Sequence, residues 1–399
     1  MRVTQSLIQA QFLTSISTLE SNLSQTQNQI TSNQSFTTAA QNPTAAGAVN
    51  NYNQALAQSQ QYDTNANSAQ TRLSTEDSAL SQVQIQLQSL RTLALEANNS
   101  SLSTQDRAAI ATQATQIQNS LLALANTQDG NGEYLFGGFA TQTQPFTLSA
   151  TGATYNGDQG QRQVQIAAGQ SVADGDSGNT VFGQIKNGNG TFTATAAAAN
   201  AGSGVLGATT VSNAALYGAG NGVYSINFTA PGTYEVRDST NALVSSGTYT
   251  DGSTISFAGV QVTLSGQPAA GDSFAVAPST NQSLFTTVQN LVNALQPGAN
   301  SATATTQLNN SIGYALNNID QALNQMSNVR ATVGGRLNSI TTQQSVSSSQ
   351  QIQLQTNISN LQSLDYAGAI TTLQQQNTTL SAALQAYSLT QGLSLFKFL

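Results

Sequence analysis

The fold is decided by LQTNISNLQSLDYAGAITTLQQQNTTLSAALQAYSL, residues 354–389. Large apolar residues recur there at steps of three, four and seven, and the spacing extends back through Ile340 and Leu337 to Val333. This period places them along one stripe of a helix, whereas Gln, Ser, Thr and Asn fill the other faces. A helix with one narrow apolar stripe cannot bury it alone. We therefore expect a partner helix from this chain, from another chain, or from both.

The N-terminal segment, residues 5–33, repeats the pattern and predicts a second helix of the same kind. Both ends of the chain are short of charged residues and share one spacing. We therefore favour pairing of the two ends in a coiled coil over an ordinary amphipathic core helix.

The two stripes, together with an apolar tail at residues 395–399, form the predicted assembly interface. A tail with four large apolar side chains in five residues favours association unless another surface covers it. The residues predicted to form the interface are Ile8, Phe12, Ile16, Leu19, Leu23, Ile30, Leu354, Ile358, Leu361, Leu373, Leu380, Leu384, Tyr387, Leu395, Phe396 and Phe398.

Between the ends, helical patterns lie on both sides of a β-rich insertion. Asn42-Pro43 predicts a helix start with Pro at the first helical position, and Ser103 with Asp106 predicts a capping box. Asp129-Gly130-Asn131-Gly132 predicts the end of the helix that starts at this capping box. From residue 134 to about residue 279, short alternating runs between Gly, Asp and Pro turns predict antiparallel strands. The Ala/Gly/Thr-rich part, 192–216, predicts a loop or weak strands. Gly334-Gly335 marks either a weak point or a close-packing site between two successive helices.

The predicted fold class is therefore α+β, with long terminal α-helices in a coiled-coil rod and an inserted antiparallel β-rich domain. The boundaries predict an N-terminal assembly helix at 1–42, the two halves of a helical rod domain at 43–133 and 281–328, the β-rich insertion at 134–280, and a C-terminal assembly helix at 329–399.

The composition of the chain excludes several classes of function. Charged residues make up 7% of the 399 residues, against about 25% in ordinary soluble proteins, and the net charge is −7. Such a chain has no electrostatic footprint for nucleic acid, and no apolar run approaches the ~20 residues that span a bilayer. There is no Cys, which excludes disulfides. The first residues have no apolar signal core, so we expect export, if any, without a cleaved signal peptide.

Two stretches resemble motifs of catalysis or metal binding, but both are incomplete. Gly175-Asp176-Ser177-Gly178 resembles the surroundings of some nucleophilic serines, but the chain has no His for a catalytic triad, so we expect a turn between strands. Asp174 and Asp176 suggest a calcium loop whose later ligand positions are occupied by Gly178 and Ile185. We expect no catalytic, cofactor-binding or metal-binding residue and no enzyme activity.

The arginines of the predicted helices do not by themselves indicate a function. Arg72 and Arg91 are expected on solvated faces or in local pairs, such as Arg91 with the neighbourhood of Glu96. A role in contacts between subunits is the alternative.

Several short stretches, in their order and spacing, resemble the flagellin superfamily of bacterial axial proteins, and within it the hook-associated members. These stretches are RVTQ at 2–5, QNPTAA at 41–46, GEYLFGG at 132–138, GDSF at 271–274, VRATVGGRLN at 329–338 and DYA at 365–367. The acidic pair that the family has before its long helix is Gln41-Asn42 here.

The resemblance implies a structural protein of the bacterial flagellum, an adaptor at the hook–filament junction that polymerises through its terminal helices. It implies extracellular placement after export through the flagellar type III apparatus. The implied partners are further copies in a ring, the first hook-associated protein on the hook side, flagellin, and a type III export chaperone. The alternatives are flagellin itself, the filament subunit, against which GEYLFGG and GDSF argue, and, as a weaker one, a secreted adhesin.

Overall fold

The structure is a computed structural model, and it describes residues 2–99, 101–219, 221–296 and 301–392. It confirms an α+β fold with long terminal helices and an inserted antiparallel β-rich region. The helices are α1 (Arg2–Ser32), α2 (Pro43–Ala97), α3 (Thr104–Ala125), α4 (Ala214–Gly218), α5 (Leu284–Leu295), α6 (Ala302–Gln362) and α7 (Tyr366–Gly392). Within these ranges, none of the helices combines the length and the apolarity needed to cross a membrane.

The insertion contains short strands, all in antiparallel pairs. They are β1 (Phe146–Ser149), β2 (Gly152–Tyr155), β3 (Gln163–Ala167), β4 (Gln170–Ala173), β5 (Ile185–Lys186), β6 (Phe192–Ala196), β7 (Val205–Val211), β8 (Tyr224–Ala230), β9 (Thr233–Asp238), β10 (Leu243–Thr248), β11 (Thr254–Phe257), β12 (Val260–Ser265), β13 (Ser273–Pro278) and β14 (Asn281–Gln282). A five-stranded sheet has the order β10-β9-β8-β13-β6, and a three-stranded sheet has the order β11-β12-β7.

The chain divides into two compact units: Met1–Thr64 with Gln343–Leu399, and Asn65–Thr342. The first unit contains α1, α7, the start of α2 and the end of α6. Its buried cluster is small, with Phe36, Ala45 and Val49 packed against Ile358 and Leu361. Few of the apolar side chains on its helices are therefore fully buried within one chain.

The second unit has two separate buried clusters. One lies among α2, α3, α5 and α6 and includes Leu80, Leu121, Val288 and Ile319. The other lies between the two larger sheets, where the inward residues of β8, β12 and β13 alternate with half-buried or exposed ones. Burial on alternate residues is the period expected of strands with one face on a core.

The predicted starts of two helices are confirmed. The side chain of Asn42 accepts a hydrogen bond from the backbone N–H of Ala45 at 3.1 Å, which caps α2. Ser103 and Asp106 form the reciprocal capping box of α3.

The end of α3 and the 192–216 region differ from expectation. Helix α3 ends at Ala125, before the predicted stop at Asp129–Gly132, because the amide of Asn126 bonds the backbone of Phe146 in both directions. Residues 192–216 contain two regular strands, since β6 pairs with β13 and β7 pairs with β12. Pairing and burial in the sheet therefore decide the conformation of a stretch whose own composition favours a loop.

Gly334-Gly335 neither breaks a helix nor packs closely, because α6 continues through both and a Cβ at either position would meet nothing within 4 Å. The break in the C-terminal helical pattern falls instead at residues 363–365, between α6 and α7.

Candidate assembly surface of the terminal helices

The two ends of the chain pair with each other. Helix α1 lies against α7, and the rings of Phe12 and Tyr387 stack with centroids 5.5 Å apart and an angle of 20° between their planes. The Gln9 side-chain amide donates a hydrogen bond to the Tyr387 hydroxyl at 3.4 Å. The predicted pairing of the chain ends is therefore present within one chain.

A backbone hydrogen bond between the segment after α1 and the segment before α7 holds the two helices in register. The backbone N–H of Ser35 donates to the carbonyl of Gln362 at 2.7 Å, so the turn after α1 meets the break between α6 and α7. Asn33 takes a left-handed conformation with φ 54°, which ends α1. The Asp365 carboxylate accepts the backbone N–H of Gly368 at 3.1 Å and caps the start of α7.

The predicted interface residues differ in how far this pairing buries them. Ile16 and Leu354 are buried, whereas Ile8 is 63% exposed and Leu384 is 47% exposed. Leu395, Phe396 and Phe398 lie outside the described residues. The half-buried members are Phe12, Leu19, Leu23, Ile30, Ile358, Leu361, Leu373, Leu380 and Tyr387. One chain therefore covers only part of the predicted stripes.

Further apolar residues of the same helices are exposed although the stripes did not include them. Leu7 and Leu13 flank Ile8 and Phe12 on α1, and Leu389 lies two residues beyond Tyr387 on α7. The sequence does contain a pattern that predicts these exposed residues. Large apolar residues are adjacent at 7–8 and at 12–13, which makes the apolar stripe of α1 wider.

Charge does not oppose close packing of this surface. Helix α7 has no charged residue, and α1 has only Arg2 and Glu20. Exposed Leu and Ile on helices with neutral polar faces form a surface suited to burial against other helices.

Among the described residues, no group of three or more acidic side chains could hold a metal ion.

The prediction of a solvated face is wrong for Arg72, whereas the side chain of Arg91 is 42% exposed and only its predicted partner is wrong. Arg72 is 6% exposed and bonds Asp129 and the carbonyl of Tyr134. Arg91 donates to Asp320 of α6 at 2.7 Å, so its partner is in another helix and not near Glu96. Helical periodicity alone does not reveal these tertiary partners.

The segment 175–178 also departs from expectation, because it does not join two strands directly. It follows β4 and enters a π-helical turn, Asn179–Gly183, and Asp176 accepts two hydrogen bonds from Arg336 of α6 at 2.9 Å each. Asp174 and Asp176 are partners of arginines, which explains two carboxylates in a loop that does not match a calcium site.

Comparison with known proteins places these features in a family. The profile of the bacterial flagellin N-terminal helical region matches residues 3–141, and that of the C-terminal helical region matches residues 316–399. Between them, the D2-like domain of flagellar hook-associated protein 1 matches residues 195–278.

Individual relatives agree with these matches. Flagellar hook-associated protein 3 of Salmonella typhimurium is 31% identical over 185 residues, and the alignment covers 46% of this chain and 58% of the relative, which is less than two thirds of its length. A crystal structure of Xanthomonas campestris FlgL is 40% identical with a TM-score of 0.72, covering 77% of this chain and 99% of that one. The flagellar junction protein FlgL of Legionella pneumophila is 29% identical with a TM-score of 0.72, covering 79% of this chain and all of that one. With its flagellin-type helical ends and this similarity along the full Xanthomonas chain, the protein belongs to the FlgL family of flagellar hook-associated proteins.

Proposed function

We propose that this protein is a structural adaptor at the hook–filament junction of the bacterial flagellum and that it polymerises through its terminal helices. The observation that carries the proposal is the surface of α1 and α7, on which exposed and half-buried apolar residues remain after the two helices have paired. The FlgL relatives, one of them titled a flagellar junction protein, support the junction as its location.

The physical driving force is burial of these stripes against helices of neighbouring subunits. Full burial of a Leu, Ile or Phe side chain contributes about 1.5–3 kcal/mol, so a few exposed residues on each helix suffice to favour association. The neutral faces of α7 impose little electrostatic repulsion between copies. In this proposal, residues 1–42 and 329–399 are the assembly segments, and residues 134–280 are an insertion that takes no part in the contacts between subunits.

The partners follow from the position of an adaptor. We propose self-association in a ring, contact with the first hook-associated protein on one side and with flagellin on the other, and an export chaperone for the terminal helices before assembly. Export through the flagellar type III apparatus, without cleavage, would deliver the chain to the outside of the cell. The role is mechanical and involves no catalysed reaction.

Point variants at exposed positions test the assembly surface without disturbing the monomer. Ile8→Asp and Leu384→Asp place a charge on the proposed interface at side chains that one chain leaves largely exposed. We expect monomers with unchanged helix content by circular dichroism that fail to restore filaments in a strain lacking the gene.

The matched control is Leu243→Asp, which makes the same kind of change at a 55% exposed residue of β10 in the insertion. It should restore filaments. Normal filaments with Ile8→Asp and Leu384→Asp together would contradict the proposed surface.

A deletion distinguishes the junction from the filament. Cells that produce a chain lacking residues 371–399 should carry hooks without filaments and shed flagellin into the medium, as seen by electron microscopy and by analysis of the culture supernatant. The intact protein should be scarce at the base of sheared filaments. If it formed the bulk of them, the protein would be the filament subunit instead.

A further inference from the structure

A glutamate in the helical part of the second unit has no evident role in assembly. Glu76 lies on α2 with 0% of its surface exposed, and neither of its carboxyl oxygens has a hydrogen-bond partner of normal geometry among the described residues, although the backbone N–H of Asp176 lies close enough to favour the ionised form. A carboxylate left without partners in a protein interior is strongly unfavourable, so this position needs a physical explanation.

Three charged groups from three elements face Glu76: Arg72 from α2, Asp176 from the segment after β4, and Arg336 from α6. Both arginines are already engaged. Arg336 binds Asp176 through two N–H groups at 2.9 Å, and Arg72 directs its terminal nitrogens to Asp129 and to the carbonyl of Tyr134.

Among the described residues no guanidinium group of the cluster is hydrogen-bonded to Glu76, although Arg72 Nε has no hydrogen-bond partner of its own. Arg162 contacts Asp174 at 2.7 Å and Glu133 at 3.2 Å, and Glu133 also lies 3.6 Å from Arg72. The cluster therefore contains more carboxyl groups than guanidinium groups: Glu76, Asp129, Glu133, Asp174 and Asp176 against Arg72, Arg162 and Arg336.

A neutral acid at Glu76 reduces this imbalance to four carboxylates against three guanidinium groups. Burial, and after it the negative charge of Asp176, raise the pKa of Glu76 well above its ordinary value, against the smaller lowering effects of Arg336, of the backbone N–H of Asp176 and of Arg72. Gly175 lies against both Arg72 and Glu76, since a Cβ at that position would be 3.7 Å from Arg72 Nε and 3.8 Å from Glu76 Oε2. The segment around Asp176 thus covers the carboxyl group directly.

We propose that Glu76 is a buried proton-binding site and that loss of its proton loosens the attachment of residues 174–178 to α2 and α6. An ionised Glu76 would repel Asp176, compete with it for Arg336, and compete with Asp129 for Arg72. The Asp176–Arg336 contact is the one that gives way, because Asp176 is on a short segment and Arg336 is on a long helix.

The direction of the pH dependence follows from proton linkage. The folded state keeps a proton that the unfolded or locally opened state has lost, so stability is fully present below the ordinary carboxyl pKa and decreases as the pH rises towards the pKa of the folded state. Within that window, linkage to one proton changes the opening equilibrium about tenfold per pH unit. The segment therefore opens more often as the pH rises.

Hydrogen exchange of the full-length protein tests the proposal. The amides of Asp174 and Gly178 donate to the carbonyls of Arg162 and Phe136, so peptides that contain them report opening of the segment. Between pH 5 and pH 9, after correction for the intrinsic exchange rate, we expect protection in the wild-type protein to fall by up to about tenfold per pH unit. In Glu76→Gln, protection should not depend on pH.

Glu96→Gln is the matched control, because Glu96 is an exposed residue of the same helix. It should keep the wild-type slope. An equal slope in Glu76→Gln, or a flat wild-type profile, overturns the proposal.

A second measurement needs no variant, in case Glu76→Gln does not fold. Carbon-13 NMR of the wild-type chain with labelled glutamate carboxyl groups should show one carboxyl that titrates well above pH 4.5. If every glutamate carboxyl titrates near its ordinary value, Glu76 holds no proton and the proposal fails.

Discussion

At the scale of single residues, the same helix places two arginines in opposite environments. Arg72 is 6% exposed and lies among Asp129, Glu133 and the carbonyl of Tyr134. The side chains of Arg91 and its partner Asp320 are each 42% exposed. Solvent screens the second pair, whereas removing one partner of the first leaves carboxylates in the interior without compensation.

Arg72→Met should therefore lower the free energy of unfolding by about 3–5 kcal/mol, whereas Arg91→Met should cost less than about 1 kcal/mol. Both losses can be measured by urea denaturation of the full chain, followed by circular dichroism. Equal losses for the two variants would show that burial does not decide how much each ion pair contributes to the free energy of unfolding.

At the scale of elements, the C-terminal helical pattern is interrupted at a polar cap and not at its glycines. Each glycine inside a helix costs about 1 kcal/mol of helix stability relative to Ala. Helix α6 nevertheless continues through Gly334 and Gly335, because Val333 just before them and Ile340 in the following turns are fully buried. The break at residues 363–365 coincides with the backbone hydrogen bond from Ser35 to Gln362 and with the Asp365 cap. Tertiary packing thus sustains one helix, and local hydrogen bonds start the next.

Asp365→Ala removes the carboxylate that accepts the Gly368 N–H and should destabilise the start of α7 by about 0.5–2 kcal/mol. The effect should be visible as faster hydrogen exchange in the first turns of α7. Asp365→Asn keeps an acceptor oxygen and should exchange like the wild type. Identical exchange in all three proteins would mean that the contacts with α1, and not the cap, hold this end.

At the scale of the whole molecule, the second unit stabilises helices and strands through separate cores. Phe228 lies in the core between the two sheets, with Tyr249 packed edge-on at 5.5 Å and Phe274 at 6.1 Å. The core among α2, α3, α5 and α6 shares no member with it. Damage to the sheet core should therefore remain largely within the sheets.

Phe228→Ala should cost about 3–5 kcal/mol in the stability of the sheets. Hydrogen exchange should accelerate in β8, β9 and β13 while α3 and α5 remain protected. Leu243→Ala, at an exposed residue of the same sheet, should leave both regions unchanged. Loss of protection in α3 and α5 with Phe228→Ala would indicate one cooperative unit.

The sequence alone determined the helix starts at Asn42 and Ser103, because caps are local properties. It also indicated the fold class and the pairing of α1 with α7, because both ends of the chain have the same apolar spacing and few charges. It did not determine the strands in 192–216, the end of α3 at Ala125 or the break at residues 363–365, because each depends on partners far away in the chain. The burial of Arg72 and Glu76 was likewise decided only in the folded chain. The free energy of a buried charge depends on which groups surround it, and a linear pattern does not specify those neighbours.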